Sequence, residues 1–343
     1  MTNQHKITEK HKLLNEKGEI IEKGYSTKLL LDYSRKDIKA SSLRVKEWDY
    51  YFIGGDDFGI ALCIADNSYM GIASASFIDY HNKKDITDFA FIPFPMGRMK
   101  MPSSSISGDV CRKSRKIDLR FLNDGIKRRL YCNIPRFDKG KGLLIDIELT
   151  PPEDSMVIAT PFAYDKKAFY YNQKINCMTI SGGMVYGGKE YDLSSHLATL
   201  DWGRGVWTYD NTWYWGSMSS RLPDNSLFGF NIGYGFGDTS AASENMLFYN
   251  GKAHKISLIE FGIPFKDGKE DYMDKWHFTS DDKRLEMTFI PLFDRRTDLN
   301  ALIIAQDAHQ VFGKFTGAAV LDDGSKISFS DCLGFAEKVR NRW

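Results

Sequence analysis

The run Leu143-Leu144-Ile145-Asp146-Ile147-Glu148-Leu149-Thr150-Pro151-Pro152 has the period of a β-strand. Leu143, Ile145, Ile147 and Leu149 share one face, because successive side chains of a strand point to opposite sides. Leu144, Asp146, Glu148 and Thr150 hold the other face, and the proline pair, which cannot donate to a ladder, ends it. The same alternation spreads outward along the chain. Ile117, Leu119 and Phe121 alternate with polar neighbours, Asn123-Asp124-Gly125 supplies a hairpin turn, and Leu130, Cys132 and Ile134 resume the pattern. Phe228, Phe230, Ile232, Tyr234 and Phe236 stand against Gly229, Asn231, Gly233 and Gly235. Asp281-Asp282 separates residues 276–279 from 285–290, and Asp322-Asp323-Gly324 turns 318–321 into 326–329.

A succession of hairpins without βαβ alternation predicts an all-β fold, a sandwich or a barrel. Helical patterning is confined to two short stretches, 241–249 and 34–39. At 343 residues the chain is longer than a typical single domain, and strand density is similar in its two halves. The segment 151–167 interrupts the strands, so the sequence predicts an N-terminal unit over 1–165 and a C-terminal unit over 166–343.

Charge excludes several functions. With 46 basic and 45 acidic residues the net charge is +1, too little to hold nucleic acid or an anionic membrane by its overall field. The basic cluster Arg112, Lys113, Arg115, Lys116, Lys127, Arg128 and Arg129 flanks or alternates within a hairpin, as a solvated strand face does. Cys63, Cys111, Cys132, Cys177 and Cys332 are scattered, odd in number and free of CxxC spacing, which predicts reduced thiols, no disulfide framework and no metal site. Residues 1–12 are polar and no apolar run approaches the roughly 18 residues of a membrane span, so a cytoplasmic location is expected. The glycine-rich stretch 229–237 lacks the Lys-Ser/Thr and the strand-to-helix setting of a phosphate loop, and no cofactor is expected.

One constellation stands out. Four of the seven tryptophans fall in Asp201-Trp202-Gly203-Arg204-Gly205-Val206-Trp207-Thr208-Tyr209-Asp210-Asn211-Thr212-Trp213-Tyr214-Trp215-Gly216-Ser217. Broad rings mixed with a few polar groups are the usual lining of a small-molecule pocket. Trp202, Arg204, Trp207, Asn211, Trp213 and Trp215 are the candidate ligand-binding residues. Asp201, His196, Tyr209, His309 and Glu337 are the candidate acid–base residues, since carboxylates and histidines supply protons near neutrality once burial has tuned them. An ion pair between Asp201 and Arg204 and a plain aromatic core are the structural readings of the same run.

The segments 13–18, 38–51, 201–217 and Gly334-Phe335-Ala336-Glu337 resemble the DUF2804 family, a bacterial group, along essentially the whole chain. That family is in turn distantly similar to the tandem-lipocalin group of carotenoid 1,2-hydratases, AttH-type proteins and Diels-Alderase-type cyclases. The resemblance implies two lipocalin-like (calycin-type) antiparallel barrels in tandem. The hydratase-like members carry Asp-His-x-Trp-Gly followed by Trp-x-Trp. Trp202-Gly203 and Trp213-Tyr214-Trp215 fit that pattern, but Thr199 and Leu200 stand where Asp and His are required, which removes the expected histidine. Three functions follow as expectations: a hydratase, lyase or isomerase acting on a small, largely apolar molecule; a lipid or pigment carrier; and a glycoside-active enzyme using Asp201 and Glu337. The expected partner is a small molecule, apolar or glycosidic, with no nucleic acid.

Overall fold

A computed structural model describes residues 4–301 and 304–343. The alternating segments form two curled antiparallel sheets, each an incomplete barrel. In the first, the strands run in the order Lys84–Pro93, Met70–Asp79, Phe58–Asp66, Val45–Gly54, Leu197–Val206, Asp165–Tyr186, Leu143–Thr150, Arg128–Ile134, Asp118–Asn123, Val110–Lys113. In the second the order is Lys252–Lys255, Met246–Tyr249, Leu227–Tyr234, Asp210–Arg221, Lys326–Arg342, Ile304–Val320, Leu285–Ala301, Trp276–Ser280, Ile259–Gly262.

Each sheet wraps its own core. Leu143, Ile145, Ile147 and Leu149 face the first core together with Leu119, Phe121, Leu130 and Cys132. Phe228, Phe230 and Ile232 fill the second with Trp276, Phe278, Phe289 and Phe315. A fully buried side chain of this size contributes about 1.5–3 kcal/mol by leaving water. The hairpin at Asn123-Asp124-Gly125 closes as expected, Gly125 taking φ of 93°, and so does that at Asp322-Asp323-Gly324, where Gly324 takes 86°.

The outer faces of the two sheets pack against each other. Phe52 of the first sheet meets Phe312 at 5.6 Å and Phe335 at 5.4 Å between ring centres. Nearby, Asn176 Nδ2 donates to Ser217 Oγ at 2.8 Å, and the Cys177 N–H to Ser219 Oγ at 2.9 Å. The second sheet is therefore fixed to the first by both rings and polar contacts.

Two expectations are corrected. Residues 241–249 are not helical: 241–245 are irregular and Met246–Tyr249 is a strand, its first three side chains buried. Asn245 shows why, its side chain accepting from the Gly233 N–H at 2.7 Å and donating to Ser257 O at 2.9 Å. These bonds across to neighbouring segments replace those a helix would make internally. The 34–39 stretch does contain a 3-10 turn, Arg35–Asp37, and further short helical turns span Ser42–Arg44 and Phe137–Gly140. The chain passes from the first sheet to the second between Val206 and Asp210, not near residue 165, because the strands Asp165–Tyr186 and Leu197–Val206 complete the first sheet beside Val45–Gly54. No described helix is long and apolar enough to cross a membrane.

Candidate functional site

Where the two sheets meet, a cavity of about 700 Å³ opens between them. Strand parity selects its lining. Trp48 and Tyr50 point into it from Val45–Gly54, Tyr170 and Lys174 from Asp165–Tyr186, and Asp201 from Leu197–Val206. The second sheet contributes Trp213 and Trp215 from Asp210–Arg221, Gln310 from Ile304–Val320, and Glu337 from Lys326–Arg342. Phe236 follows Gly235, whose φ of 91° turns the chain just past the end of its strand and carries the ring to the cavity side.

The inner wall is an aromatic box. Trp207 touches Trp48 edge-to-face at 5.4 Å, Trp213 at 5.8 Å and Phe236 at 4.8 Å between ring centres. Tyr170 closes it, 4.8 Å from Phe236 and stacked at 6.2 Å on Trp48. Edge-to-face pairs of this kind add about 0.5–1.5 kcal/mol each beyond burial and hold the rings in fixed orientations.

Into this box project three carboxyl groups and one ammonium. Lys174 Nζ lies 2.9 Å from Asp201 Oδ1 and 3.7 Å from the centre of the Trp215 ring. Asn172 Nδ2 donates to the same Asp201 oxygen at 2.7 Å. Glu337 accepts from Trp213 Nε1 at 2.9 Å and from Gln310 Nε2 at 3.1 Å. Glu244 accepts from Asn231 Nδ2 at 3.1 Å, and Asn231 in turn accepts from Trp215 Nε1 at 2.7 Å. Burial pushes the Glu337 carboxyl up to about 7, with the nearby Asp201 carboxylate adding to the rise. The Trp213 donor, Lys174 and Gln310 all favour the anion, and burial outweighs them. Glu244 is also raised, again chiefly by burial. The Cys63 thiol in the wall is pushed up to about 12 by burial, which makes it a poor nucleophile.

Of the residues singled out in the sequence, the structure brings Asp201, Glu337, Trp207, Trp213 and Trp215 together in this cavity. It places the others elsewhere. Trp202 and Arg204 alternate with Asp201 and so face the first core, where Trp202 is fully buried against Tyr171. The Asp201–Arg204 pair does not form. Arg204 Nη2 bonds Asp49 at 2.9 Å and Pro102 O at 2.8 Å, with its guanidinium 4.3 Å from the Trp202 ring centre. His196 packs on Phe58 near Gly55, away from the cavity wall. Tyr209 is exposed in the link between the sheets, and Asn211 bonds Thr208. His309 is one residue out of phase with Gln310; it stacks on Tyr272 at 3.8 Å and bonds Asp294 at 2.6 Å. No histidine lines the cavity among the described residues.

Sequence reasoning missed Lys174, Glu244, Tyr50, Trp48, Tyr170 and Phe236. Lys174 had a signal: a lysine amid Phe169-Tyr170-Tyr171-Asn172-Gln173-Lys174-Ile175 sits in a strand too apolar to be a solvated face. Glu244 was hidden by the helical reading of its segment.

A family model described as "Domain of unknown function (DUF2804)" matches residues 4–343, and the chain belongs to that family. Among solved structures it is similar to a protein from Nitrosomonas europaea described as an AttH, with a TM-score of 0.56 and 14% identity over 90% of this chain and 96% of that one. That likeness shows the shared fold. Weaker likenesses link it to kievitone hydratase from Nectria haematococca (TM-score 0.47, 11% identity, 91% and 92% covered) and to CghA (TM-score 0.43, 10% identity, 97% of each chain). Comparison with curated proteins gives no match.

Proposed function

We propose that this DUF2804 protein is an enzyme of the hydratase, lyase or isomerase type, acting by acid–base chemistry on a small, largely apolar molecule in the cavity between its two half-barrels. The observation that carries the reading is the Glu337 carboxyl, buried among indoles and holding its proton up to about pH 7. A carboxylic acid kept neutral near physiological pH can donate to an alkene carbon or to a leaving oxygen, and its conjugate base can take a proton back.

The surroundings supply the rest of such a step. Positive charge developing on the substrate would meet the faces of Trp48, Trp207 and Trp213, and a desolvated ring stabilises a cation by about 1–2 kcal/mol. Trp213 Nε1 and Gln310 Nε2 each bind one oxygen of Glu337 and so fix its orientation. The Asp201 carboxylate and the Lys174 ammonium, 2.9 Å apart, place a fixed dipole near the same centre.

The test starts from the ligand the protein retains. Native mass spectrometry of protein from its host would reveal the ligand's mass, and incubation in deuterated water would then report proton transfer. The wild type is expected to place solvent deuterium on carbon in the ligand, and Glu337→Gln to keep the ligand while losing that exchange. A ligand that the wild type holds and never alters would instead mark a carrier.

A further inference from the structure

Three carboxyl groups share the cavity with one ammonium, Lys174, among the described lining residues. Glu337 is satisfied at both oxygens, by Trp213 and Gln310. The other two are satisfied at one oxygen each: Asp201 Oδ1 takes Asn172 and Lys174, and Glu244 Oε2 takes Asn231. Asp201 Oδ2 and Glu244 Oε1 accept no hydrogen bond from the described residues, and neither atom is sealed from solvent. Both residues are only 8% exposed, and the surface they keep belongs to the cavity they line. A carboxylate oxygen so deeply buried and without a partner calls for a donor or a positive charge. The chain itself shows which kind fits. Lys174 Nζ lies 2.9 Å from Asp201 Oδ1 and 3.7 Å from the Trp215 ring centre, an ammonium held jointly by a carboxylate and an indole face. Trp48, Trp207 and Trp213 line the same cavity only partly buried, and among the described residues no cation lies over them. Lys255, near Glu244, is held by Asn245 O and Ile256 O and does not line the cavity.

We infer that the ligand is an organic cation, a tertiary or quaternary ammonium on an apolar skeleton, its charged end held by the faces of Trp48, Trp207 and Trp213 and by the open oxygens of Asp201 and Glu244. The inference rests on the proposal that this cavity is the ligand site, and names the substrate class for it. Ring faces attract a cation through their quadrupole and suit one whose charge is spread over alkyl groups, since such a group needs few hydrogen bonds. A metal ion fits less well: among the described residues no three carboxyl, thiol or imidazole groups gather closely enough to hold one. An anionic head would join Asp201, Glu244 and Glu337 in a space whose single lysine is already paired. With an ammonium in place the Glu337 carboxyl is drawn toward its anion, so that it enters the acid–base cycle as the base.

Three probes on one ring system test this by equilibrium dialysis: (2-naphthylmethyl)trimethylammonium, its uncharged carbon isostere 2-neopentylnaphthalene, and 2-naphthylacetate. The ammonium is expected to bind roughly tenfold more tightly than the isostere, the worth of desolvated ring faces to a cation, and the acetate more weakly than either. Glu244→Gln keeps the shape and removes a charge, and should weaken the ammonium roughly tenfold, as losing a buried charge partner does. Its binding of the isostere should stay as in the native protein, which also shows that the cavity is still formed; Asp201→Asn serves if it is not. The isostere or the acetate binding as tightly as the ammonium would overturn the inference and leave the cavity standing as a ligand site. An ammonium affinity untouched by loss of the carboxylate would overturn it in the same way. Failure of all three to bind the native protein would overturn the cavity reading as well.

Discussion

The six-membered ring of Trp48 covers Gly203, its cross-strand partner: a β-carbon on Gly203 would fall 2.0 Å from Cζ2 and 2.2 Å from Cε2 of the indole. The absence of a side chain at one position of Leu197–Val206 thus creates the seat for a wall of the cavity. Gly203→Ala should force Trp48 off this seat, disturbing Tyr170 and Trp207, which touch it. Overpacking of this kind costs about 1–3 kcal/mol. Urea denaturation should show the loss, and combining it with Trp48→Ala should cost less than the two single changes added together. Strict additivity would mean that Gly203 does not support the indole.

Glu337 gives the fold a pH dependence of known sign. Its folded value lies near 7 against an ordinary 4.5, so the native state binds the extra proton between those values. The corresponding stabilisation is complete below about pH 4.5 and is lost as pH rises through about 7, with an upper limit on the order of 3 kcal/mol. Glu337→Gln keeps the shape and removes the titration. The stability difference between wild type and variant, from urea midpoints at pH 5 and pH 8, should move against the wild type at the higher pH. A difference constant across that range would show that Glu337 ionises like an exposed acid.

How far the sequence could be read depends on parity. Alternation at Leu143, Ile145, Ile147 and Leu149 needs no partner strand to be recognised, and all four face the first core. The dense Asp201–Ser217 run has the right residues, but alternation divides it: Asp201 faces the cavity while Trp202 and Arg204, each next to a cavity-side position, face the other way. No local signal says which side of a strand buried on both faces is the site. Lys174 stood outside the run that drew attention and entered the site only through the register that places it opposite Asp201. Asp49, the true partner of Arg204, is likewise fixed by tertiary packing alone.

Lys174 and Asp201 should behave as one unit. Lys174→Met leaves a buried carboxylate unpaired, which typically costs about 3–5 kcal/mol. Adding Asp201→Asn removes the orphaned charge, so the double variant should recover much of the loss. A double-mutant cycle by chemical denaturation measures the coupling, and a value near zero would show that the 2.9 Å contact contributes nothing net.

The same charges predict the direction in which Glu337 itself titrates. Trp213 Nε1 donates to its carboxyl and stabilises the anion, whereas the neighbouring Asp201 carboxylate opposes ionisation. Trp213→Phe removes a donor to the charged form, so the Glu337 titration should move above its value of about 7. Asp201→Asn removes a repelling charge and leaves Lys174 unopposed, so the titration should move below it. Carbon-13 spectra of labelled glutamate side chains would read both directly, with Glu337→Gln identifying the resonance. In terms of stability, the window over which the fold weakens with rising pH should extend upward in the Trp213 variant and contract in the Asp201 variant. Any enzymatic turnover that depends on the protonated acid should lose activity at correspondingly higher and lower pH. If neither substitution moved the titration, desolvation alone would be setting the acidity of Glu337, and the indole and the Lys174–Asp201 pair would be bystanders to it.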